Sequence, residues 1–227
     1  AFPWKIHAEN PAWAPPLVSM RRDVLDQEKN PAWEYLEGDH YIAWRDGEAV
    51  GTIAAFVNKQ HNDYTGENTA WFGFFESIDD QTVADALIAT AIQWAQSRGY
   101  DTLRGPQSYT THEETGLLIE GFGRPVLLMT YHPPYYQQLI ESQEGFEKVM
   151  DLFSLRFDYD EQAVEAMPER QLMAKIVDRI KRQNNITVRS VSRATRKQDF
   201  QLVKDIYNDA WSENWGFAPM IDRELDA

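Results

Sequence analysis

The stretch Trp71–Ala91, WFGFFESIDDQTVADALIATA, combines a strand, a short polar turn and the first part of a helix. Residues 71–76 are mostly aromatic and strand-forming, and apolar residues then recur at helical spacing from Thr82 to Arg98. Arg98 and Gly99 form a typical C-terminal helix stop. A strand followed directly by an amphipathic helix predicts a helix that packs on a sheet.

Around this stretch the sequence predicts further strands and helices. His40–Asn58 contains two strand-forming runs on either side of Asp46-Gly47, which is a strong hairpin-turn signal. We also predict strands at 100–106 (YDTLRGP), 125–131 (PVLLMTY) and 147–159 (EKVMDLFSLRFDY), and short helices at 117–122 and after Pro133-Pro134.

The chain changes character after residue 160. The predictions there are a charged helix that starts or is interrupted near Pro168, an alternating strand at 186–194 and a helix from residue 195 onward. One strand and one helix cannot bury their apolar faces alone. We therefore predict a first domain at 1–160, a linker helix at 161–185 and the start of a second unit at 186–227.

The tetrapeptide Asn-Pro-Ala-Trp occurs twice near the N-terminus, at Asn10–Trp13 and Asn30–Trp33. Asn-Pro favours a turn before a helix start, so we predict short helical or irregular segments that cover one edge of the core. The tryptophans could also form a binding surface, but core packing is the favoured interpretation because large aromatic side chains usually contribute buried area.

Composition excludes several classes of protein. The 227 residues include no cysteine, which excludes disulfides, thiolate metal sites and cysteine nucleophiles. The sequence is 43% hydrophobic and 13% aromatic, so it is expected to fold, and no apolar run approaches the length of a membrane span. With no signal peptide evident, we predict a cytoplasmic protein, and the start at Ala1 suggests part of a longer chain.

Charge is distributed unevenly along the chain, whose net charge is -14. Residues 1–160 have 11 Lys/Arg and 25 Asp/Glu, so we expect neither nucleic acid nor membrane as a partner of this part. Residues 170–197 contain nine Lys/Arg and one acidic residue, Asp178. This basic segment is predicted to dock on the acidic first domain, with a phosphate or nucleic-acid surface as the alternative.

The spaced pattern WFGFFE, RGP, GLLIEGF, Y-x-PPYY and GF-x-K-x-x-DL, between about residues 10 and 159, resembles a bacterial branch of the GNAT acyltransferase superfamily. Residues 186–220 are similar to the opening strand and first helix of a second GNAT unit, so the resemblance implies a tandem protein whose second unit is a partner of the first. It also implies an α+β fold with a central mixed, mostly antiparallel sheet flanked by helices.

The resemblance implies transfer of an acyl group from acyl-CoA to the amine of a small molecule or peptide. Glu76, at the end of the third strand, is then the candidate general base. A tyrosine, Tyr131, Tyr135 or Tyr136, is the candidate acid that protonates the leaving thiolate. The alternatives are an exposed glutamate at a strand end and tyrosines that serve packing.

The resemblance also places the acyl-CoA cofactor beside Phe75, Thr82 and Ala84. The superfamily signature Arg/Gln-x-x-Gly-x-Gly/Ala falls on residues 79–84, DDQTVA, where Ala84 conforms but Asp79 and Thr82 do not. Two acids at a helix N-terminus cap the helix well but repel a diphosphate. We therefore expect that the first unit does not bind acyl-CoA in the usual way, and a non-catalytic domain that binds a small ligand or an acceptor peptide is the alternative function.

Three further residues are candidates for substrate binding. Arg104 ends a predicted strand beside Gly-Pro and could bind a carboxylate or phosphate, with an ion pair as the alternative. His112 and Glu113 lie in the polar run SYTTHEE, where they could form a base with a carboxylate partner. A histidine pair with His132 would suit a metal ion, but the spacing is not diagnostic and we expect no metal. A capping box from Thr111 to Glu114 explains the same residues.

Overall fold

The computed structural model of the chain describes residues 2–126, 129–155, 160 and 167–226. Its central sheet consists of β1 (Leu36–Arg45), β2 (Glu48–Asn58), β3 (Thr69–Ser77) and β4 (Thr102–Arg104), in that order. β2 is antiparallel to both β1 and β3, whereas β4 runs parallel to β3. Helices flank this open sheet, so the predicted α+β class with a mixed, mostly antiparallel sheet is confirmed.

The helices of the described residues follow in chain order. They are α1 (Phe2–Ile6), α2 (Val18–Leu25), α3 (Lys59–Thr65), α4 (Gln81–Ser97), α5 (Tyr135–Glu141), α6 (Pro168–Gln183), α7 (Arg196–Trp211) and α8 (Asp222–Asp226), with a single 3-10 turn at Pro31–Glu34. The chain divides into two compact units, one formed by Ala1–Val149 and Lys204–Ala227 and the other by Met150–Val203.

The β1–β2 hairpin turns at the predicted dipeptide. Asp46 and Gly47 both have positive φ angles, 51° and 81°, and Arg45 pairs with Glu48 across the turn. Positive φ at both central residues matches the right-handed twist of the strands, and Asp-Gly is well suited to it. The turn chemistry therefore sets the register of the first two strands.

β3 and α4 form the centre of the hydrophobic core. Strand residues Ala70, Trp71 and Phe72 are buried together with one face of α4. That face repeats at helical spacing and comprises Val83, Ala84, Leu87, Ile88, Ala91, Trp94 and Ala95. The helix starts at its N-cap Asp80, whose carboxylate accepts from the Thr82 N–H at 2.9 Å. The predicted helix on a sheet is thus present within one residue of the expected bounds.

A β-bulge interrupts the pairing of β3 with β2. Thr52 pairs with Glu76 and Ala54 pairs with Gly73. An advance of three residues along β3 therefore matches an advance of two residues along β2. The extra residue lies around Phe74, which has a φ of 47° although it is not glycine. The bulge sets the directions of the side chains at the end of β3, where Glu76 lies.

Several predicted elements are absent from the described residues. The described parts of 125–131, 147–155 and 186–194 contain no strand, and 117–122 contain no helix; residues 127, 128 and 156–159 lie outside the description. Val126, Phe153 and Val188 are exposed. Strand-forming residues without a neighbouring strand or a covered face gain too little to form one. Thr111–Glu114 likewise starts no helix, so the capping-box interpretation is wrong.

A short helix follows β2 directly. The polar stretch after β2 forms α3, because Asn58 accepts from the His61 N–H at 2.9 Å and Gly66 ends the helix in the left-handed conformation. Both capping residues can be recognised in the sequence, but the short helix between them is too polar to show an apolar repeat at helical spacing.

Candidate functional site

The strand-end carboxylate Glu76 is the centre of a network of buried polar side chains. Its Oε2 atom lies 2.9 Å from Nε2 of His7 and accepts a hydrogen bond from the Tyr136 hydroxyl at 2.7 Å. Both contacts are made to the same oxygen, and within the described residues no donor contacts Oε1. The carboxylate is therefore held on one side and open on the other.

The three predicted tyrosines lie near this carboxylate but differ in their hydrogen bonds. Tyr136 is buried, donates to Glu76 and accepts from the Ser77 N–H at 3.0 Å. Tyr135 donates to the Ser77 carbonyl at 2.8 Å. Tyr131 accepts from Nδ2 of Asn10 at 2.6 Å. The hydroxyl protons of two of the three are thus already bound to protein acceptors.

Burial controls the acidity of the two tyrosines on α5. It raises the pKa of Tyr136 well above its usual range, and the negative charge of Glu76 raises it further. Burial also raises the pKa of Tyr135 to about 12. Both hydroxyls therefore stay protonated at neutral pH and act as hydrogen-bond donors.

His7 belongs to the network, although the sequence analysis did not select it. It lies in the turn after α1, is buried, and stacks on Trp13 with ring centroids 4.9 Å apart. Trp4 meets Trp13 edge to face at 5.8 Å, and Tyr131 meets His7 in the same way at 6.4 Å. The N-terminal segment thus adds an aromatic wall to the site.

His132 lies behind the tyrosines and remains neutral. Its Nδ1 accepts from the Leu118 N–H at 3.1 Å, and its ring centroid is 5.8 Å from that of Tyr136. Burial lowers the pKa of His132 to about 4, although the charge of Glu76 acts in the opposite direction. His112, its predicted partner in a metal pair, instead binds the Tyr207 hydroxyl at 2.7 Å. The described residues contain no cluster of three or more His, Asp or Glu that suits a metal ion.

The predicted cofactor residues lie in and beside the core. Phe75 packs edge to face on Tyr136 at 5.3 Å, and Ala84 is fully buried beneath the sheet. The Thr82 N–H is bound by Asp80, whose other carboxylate oxygen accepts from Arg45 at 2.8 Å. The Arg45 hydrogen bond lowers the pKa of Asp80, so this acid is charged. A diphosphate at the N-terminus of α4 would meet a carboxylate, and the residues present do not fit one there.

Arg104 makes contacts of its own, separate from those around Glu76. It forms a two-pronged ion pair with Glu67, with N–O distances of 3.0 and 3.3 Å, and its guanidinium lies over the Trp215 ring at 5.3 Å. This is the ion-pair alternative that the acidic composition suggested.

His112 and Glu113 also have surroundings of their own. Burial lowers the pKa of His112. Burial also raises the pKa of the Glu113 carboxyl to about 7, against the lowering effect of the Arg21 charge. Arg21 bonds the neighbouring Glu114 at 3.3 Å. Glu76 and the three tyrosines are therefore brought into one network, whereas Arg104, His112 and Glu113 are placed in other contacts.

Two further observations concern the chain as a whole. Among the helices of the described residues, none combines the length and the apolar character needed to cross a bilayer. No family model matches the chain, and no solved structure matches it.

Two curated proteins are similar to the chain over nearly its whole length. Protein YghO of Escherichia coli (strain K12) is 32% identical over 226 residues, which cover 99% of this chain and 56% of that protein. A bacterial ceramide synthase of Caulobacter vibrioides (strain NA1000 / CB15N) is 31% identical over 227 residues, covering 99% of this chain and 57% of the synthase. The chain thus spans just over half the length of these two relatives.

Proposed function

We propose that the chain belongs to an N-acyltransferase that forms an amide between an activated acyl group and an amine, with Glu76 as general base. The observation that carries this proposal is the one-sided binding of Glu76. Donors from His7 and Tyr136 hold Oε2, and Oε1 is left to accept a proton from a substrate. A fixed carboxylate with one open oxygen is suited to removing a proton from an attacking amine.

Exposure decides which member of the network meets the substrate. The side chain of Glu76 is 22% exposed, whereas that of His7 is 2% exposed. An amine can therefore approach the carboxylate but not the imidazole, which is covered by Trp13. His7 is a positioning residue in this scheme, and Glu76 takes the proton as the amine nitrogen bonds to the acyl carbon.

The leaving group needs a proton when its bond to the acyl carbon breaks. Tyr135 and Tyr136 donate their hydroxyl protons to Ser77 and Glu76. The Tyr131 hydroxyl accepts from Asn10 and, in the described part of the chain, donates to no protein group. Its proton is available to a leaving thiolate, so Tyr131 is the proposed general acid among the three candidates.

The proposed acceptor is the amine of a long-chain amino alcohol. One relative is named a bacterial ceramide synthase, and a ceramide is the N-acyl amide of such an amine. The aromatic wall of Trp4, Trp13 and Tyr131 beside His7 offers apolar surface for the chain of the substrate.

The proposed donor is acyl-CoA, as expected from the GNAT resemblance. Because Asp80 occupies the N-terminus of α4, the diphosphate of this donor would have to bind elsewhere. A second GNAT-like unit, predicted to start at residue 186, remains part of this proposal.

The test is acyl transfer measured with the Glu76→Gln variant. Glutamine keeps the size and the hydrogen-bond acceptor of the side chain but cannot take a proton, so turnover should fall on the order of 10²- to 10⁴-fold. The matched control is Glu144→Gln, an exposed glutamate outside the network, which should keep the activity of the parent chain. Undiminished turnover by Glu76→Gln would refute the assignment of the base.

A non-catalytic binding domain is the second candidate, and the occupied N-terminus of α4 is the observation that favours it. The two candidates differ in one measurement. A chain that binds a long-chain amine through the Glu76 network, but forms no amide with acyl-CoA present, is a binding domain.

A further inference from the structure

Helix α6 exposes a continuous apolar stripe along its length. Five apolar side chains lie on one face of this 16-residue helix at i, i+4 and i+3 spacing, and each is between 41% and 60% exposed. They are Leu172, Met173, Ile176, Val177 and Ile180. Such a stripe is normally covered in a stable helix, because burial of one apolar face is what stabilises it.

Basic residues border this stripe on both sides. At about 3.6 residues per turn, Arg170 and Lys181 lie along one edge and Arg179 lies along the other, with Lys175 and Arg182 farther round toward the polar face. Asp178 lies on the face opposite the stripe. Glu169 lies in the first turn, where the helix dipole favours an acid. Arg170, Arg179 and Lys181 thus lie where a partly immersed helix would meet the water, and Lys175 and Arg182 add positive charge on its polar side.

We propose that α6 is a membrane-surface helix, which lies in the plane of an anionic bilayer with its apolar stripe among the acyl chains. Three features fit this partner: a narrow apolar face, low overall hydrophobicity, and Lys/Arg on both borders that can reach lipid phosphates. The stripe contains no aromatic residue, which disfavours a single-stranded nucleic acid as the partner, since such partners need stacking side chains.

The strong negative charge of the whole chain does not oppose this proposal. The excess of acidic residues lies in 1–160, which contain 25 Asp/Glu and 11 Lys/Arg, whereas α6 has five basic and two acidic residues. Charges separated by more than about 10 Å are largely screened at moderate salt, so the charges on α6 itself act most strongly on a surface that this helix contacts. The expected repulsion of membranes therefore applies to the first part of the chain and not to α6.

The experiment is vesicle flotation with the intact chain, and it does not depend on acyl transfer. The chain should float with vesicles that contain phosphatidylglycerol in phosphatidylcholine and much less with phosphatidylcholine alone. Each basic side chain near an anionic surface strengthens binding about fivefold, so Lys175→Gln/Arg179→Gln/Arg182→Gln should weaken it at least about tenfold. Leu172→Ser/Ile176→Ser should also lower the bound fraction, on both kinds of vesicle.

Matched variants elsewhere on the chain separate the helix from total charge and hydrophobicity. Arg193→Gln/Arg196→Gln/Lys197→Gln removes the same charge outside α6, and Val188→Ser/Val191→Ser removes exposed apolar residues. Both should keep vesicle binding. Circular dichroism shows whether each variant is folded.

Three results would each overturn the proposal. They are failure of the parent chain to float with anionic vesicles, equal loss in the control variants, and equal binding to neutral and anionic vesicles. The proposed function would stand in every case, because its test is amide formation.

Discussion

The two Asn-Pro-Ala-Trp copies, Asn10–Trp13 and Asn30–Trp33, fold into the same local structure in different surroundings. In each copy the alanine N–H donates to the asparagine side-chain oxygen at 3.0 Å. In each copy the tryptophan N–H also donates to the asparagine carbonyl at 3.2 Å. Asparagine side chains commonly form such turns with the backbone two residues on. Four residues are thus sufficient to determine the turn.

The side chains of the two copies have different partners. In the first copy, Asn10 donates to the Tyr131 hydroxyl and Trp13 stacks on His7, so both belong to the candidate site. In the second, Asn30 donates to the Val24 carbonyl at 2.9 Å and the Trp33 ring meets the buried Tyr109 at 5.1 Å. The same turn therefore serves the site in one place and the core in the other, because long-range partners decide the role.

The largest expected difference between the copies is the cost of removing each tryptophan. Trp33 packs against the buried core, so Trp33→Ala should lower the free energy of unfolding by about 3 kcal/mol. Trp13 packs on the buried His7 imidazole and on Trp4, away from the main core, so Trp13→Ala should lower the free energy of unfolding by about 1 kcal/mol. Urea unfolding followed by circular dichroism measures both. Trp44→Ala, at a tryptophan that is 64% exposed, is the control and should change little. If Trp13→Ala and Trp33→Ala lowered the free energy of unfolding equally, the two tryptophans would not differ in their contribution to the core.

Proton binding also distinguishes the surroundings of the two copies. His132 follows Tyr131, the partner of Asn10 in the first copy. Its folded-state pKa is about 4, below its usual value of about 6.5. The unfolded chain therefore binds more protons than the folded chain between these pH values. Stability contributed by this residue is present above about pH 6.5 and is lost as the pH falls toward 4, by up to about 3 kcal/mol.

The variant His132→Asn tests this pH dependence. Asparagine can accept from the Leu118 N–H but does not titrate, so urea unfolding should show a shallower loss of stability between pH 6.5 and pH 4 than in the parent chain. His40 forms a hydrogen bond with the hydroxyl of Tyr109, the residue that Trp33 of the second copy contacts. Burial lowers the pKa of His40 as well. Because His40 is more exposed, His40→Asn should flatten the curve less. Parallel curves for His132→Asn and the parent would contradict the prediction.

The smallest expected effect is a shared one. Asn10→Ala and Asn30→Ala each remove the same side-chain to backbone bond, and each should cost about 1 kcal/mol in unfolding free energy. Only Asn10→Ala also removes a partner of Tyr131, so only this variant should change the rate of amide formation. A rate change in both variants would show that turn geometry, and not the Tyr131 contact, matters for the site.

Local chemistry explains why much of the fold could be predicted. The Asp46-Gly47 turn, the helix after β3 and the helix start after Pro133-Pro134 are all determined by neighbouring residues. The predicted strands at 125–131 and 147–159 depend on partner strands, and a pattern within one segment cannot show whether a partner exists.

Only part of the candidate site could be predicted from the sequence. Glu76 and the three tyrosines could be selected because the GNAT resemblance implies a carboxylate at the end of the third strand and a tyrosine as the acid. His7 could not, because it reaches Glu76 from 69 residues away along the chain. Nothing in the residues next to His7 specifies that contact.

The bulge in β3 has a consequence for insertions and deletions. Gly73 and Glu76 pair with Ala54 and Thr52, which lie on one face of β2, although Gly73 and Glu76 are three positions apart along β3. Removal of Phe74 would give a regular strand in which Glu76 stays on that face, whereas one added residue would turn it away unless the bulge widened. Related chains that are one residue shorter at this position can therefore retain the carboxylate, and a gap there in an alignment does not signify loss of the site.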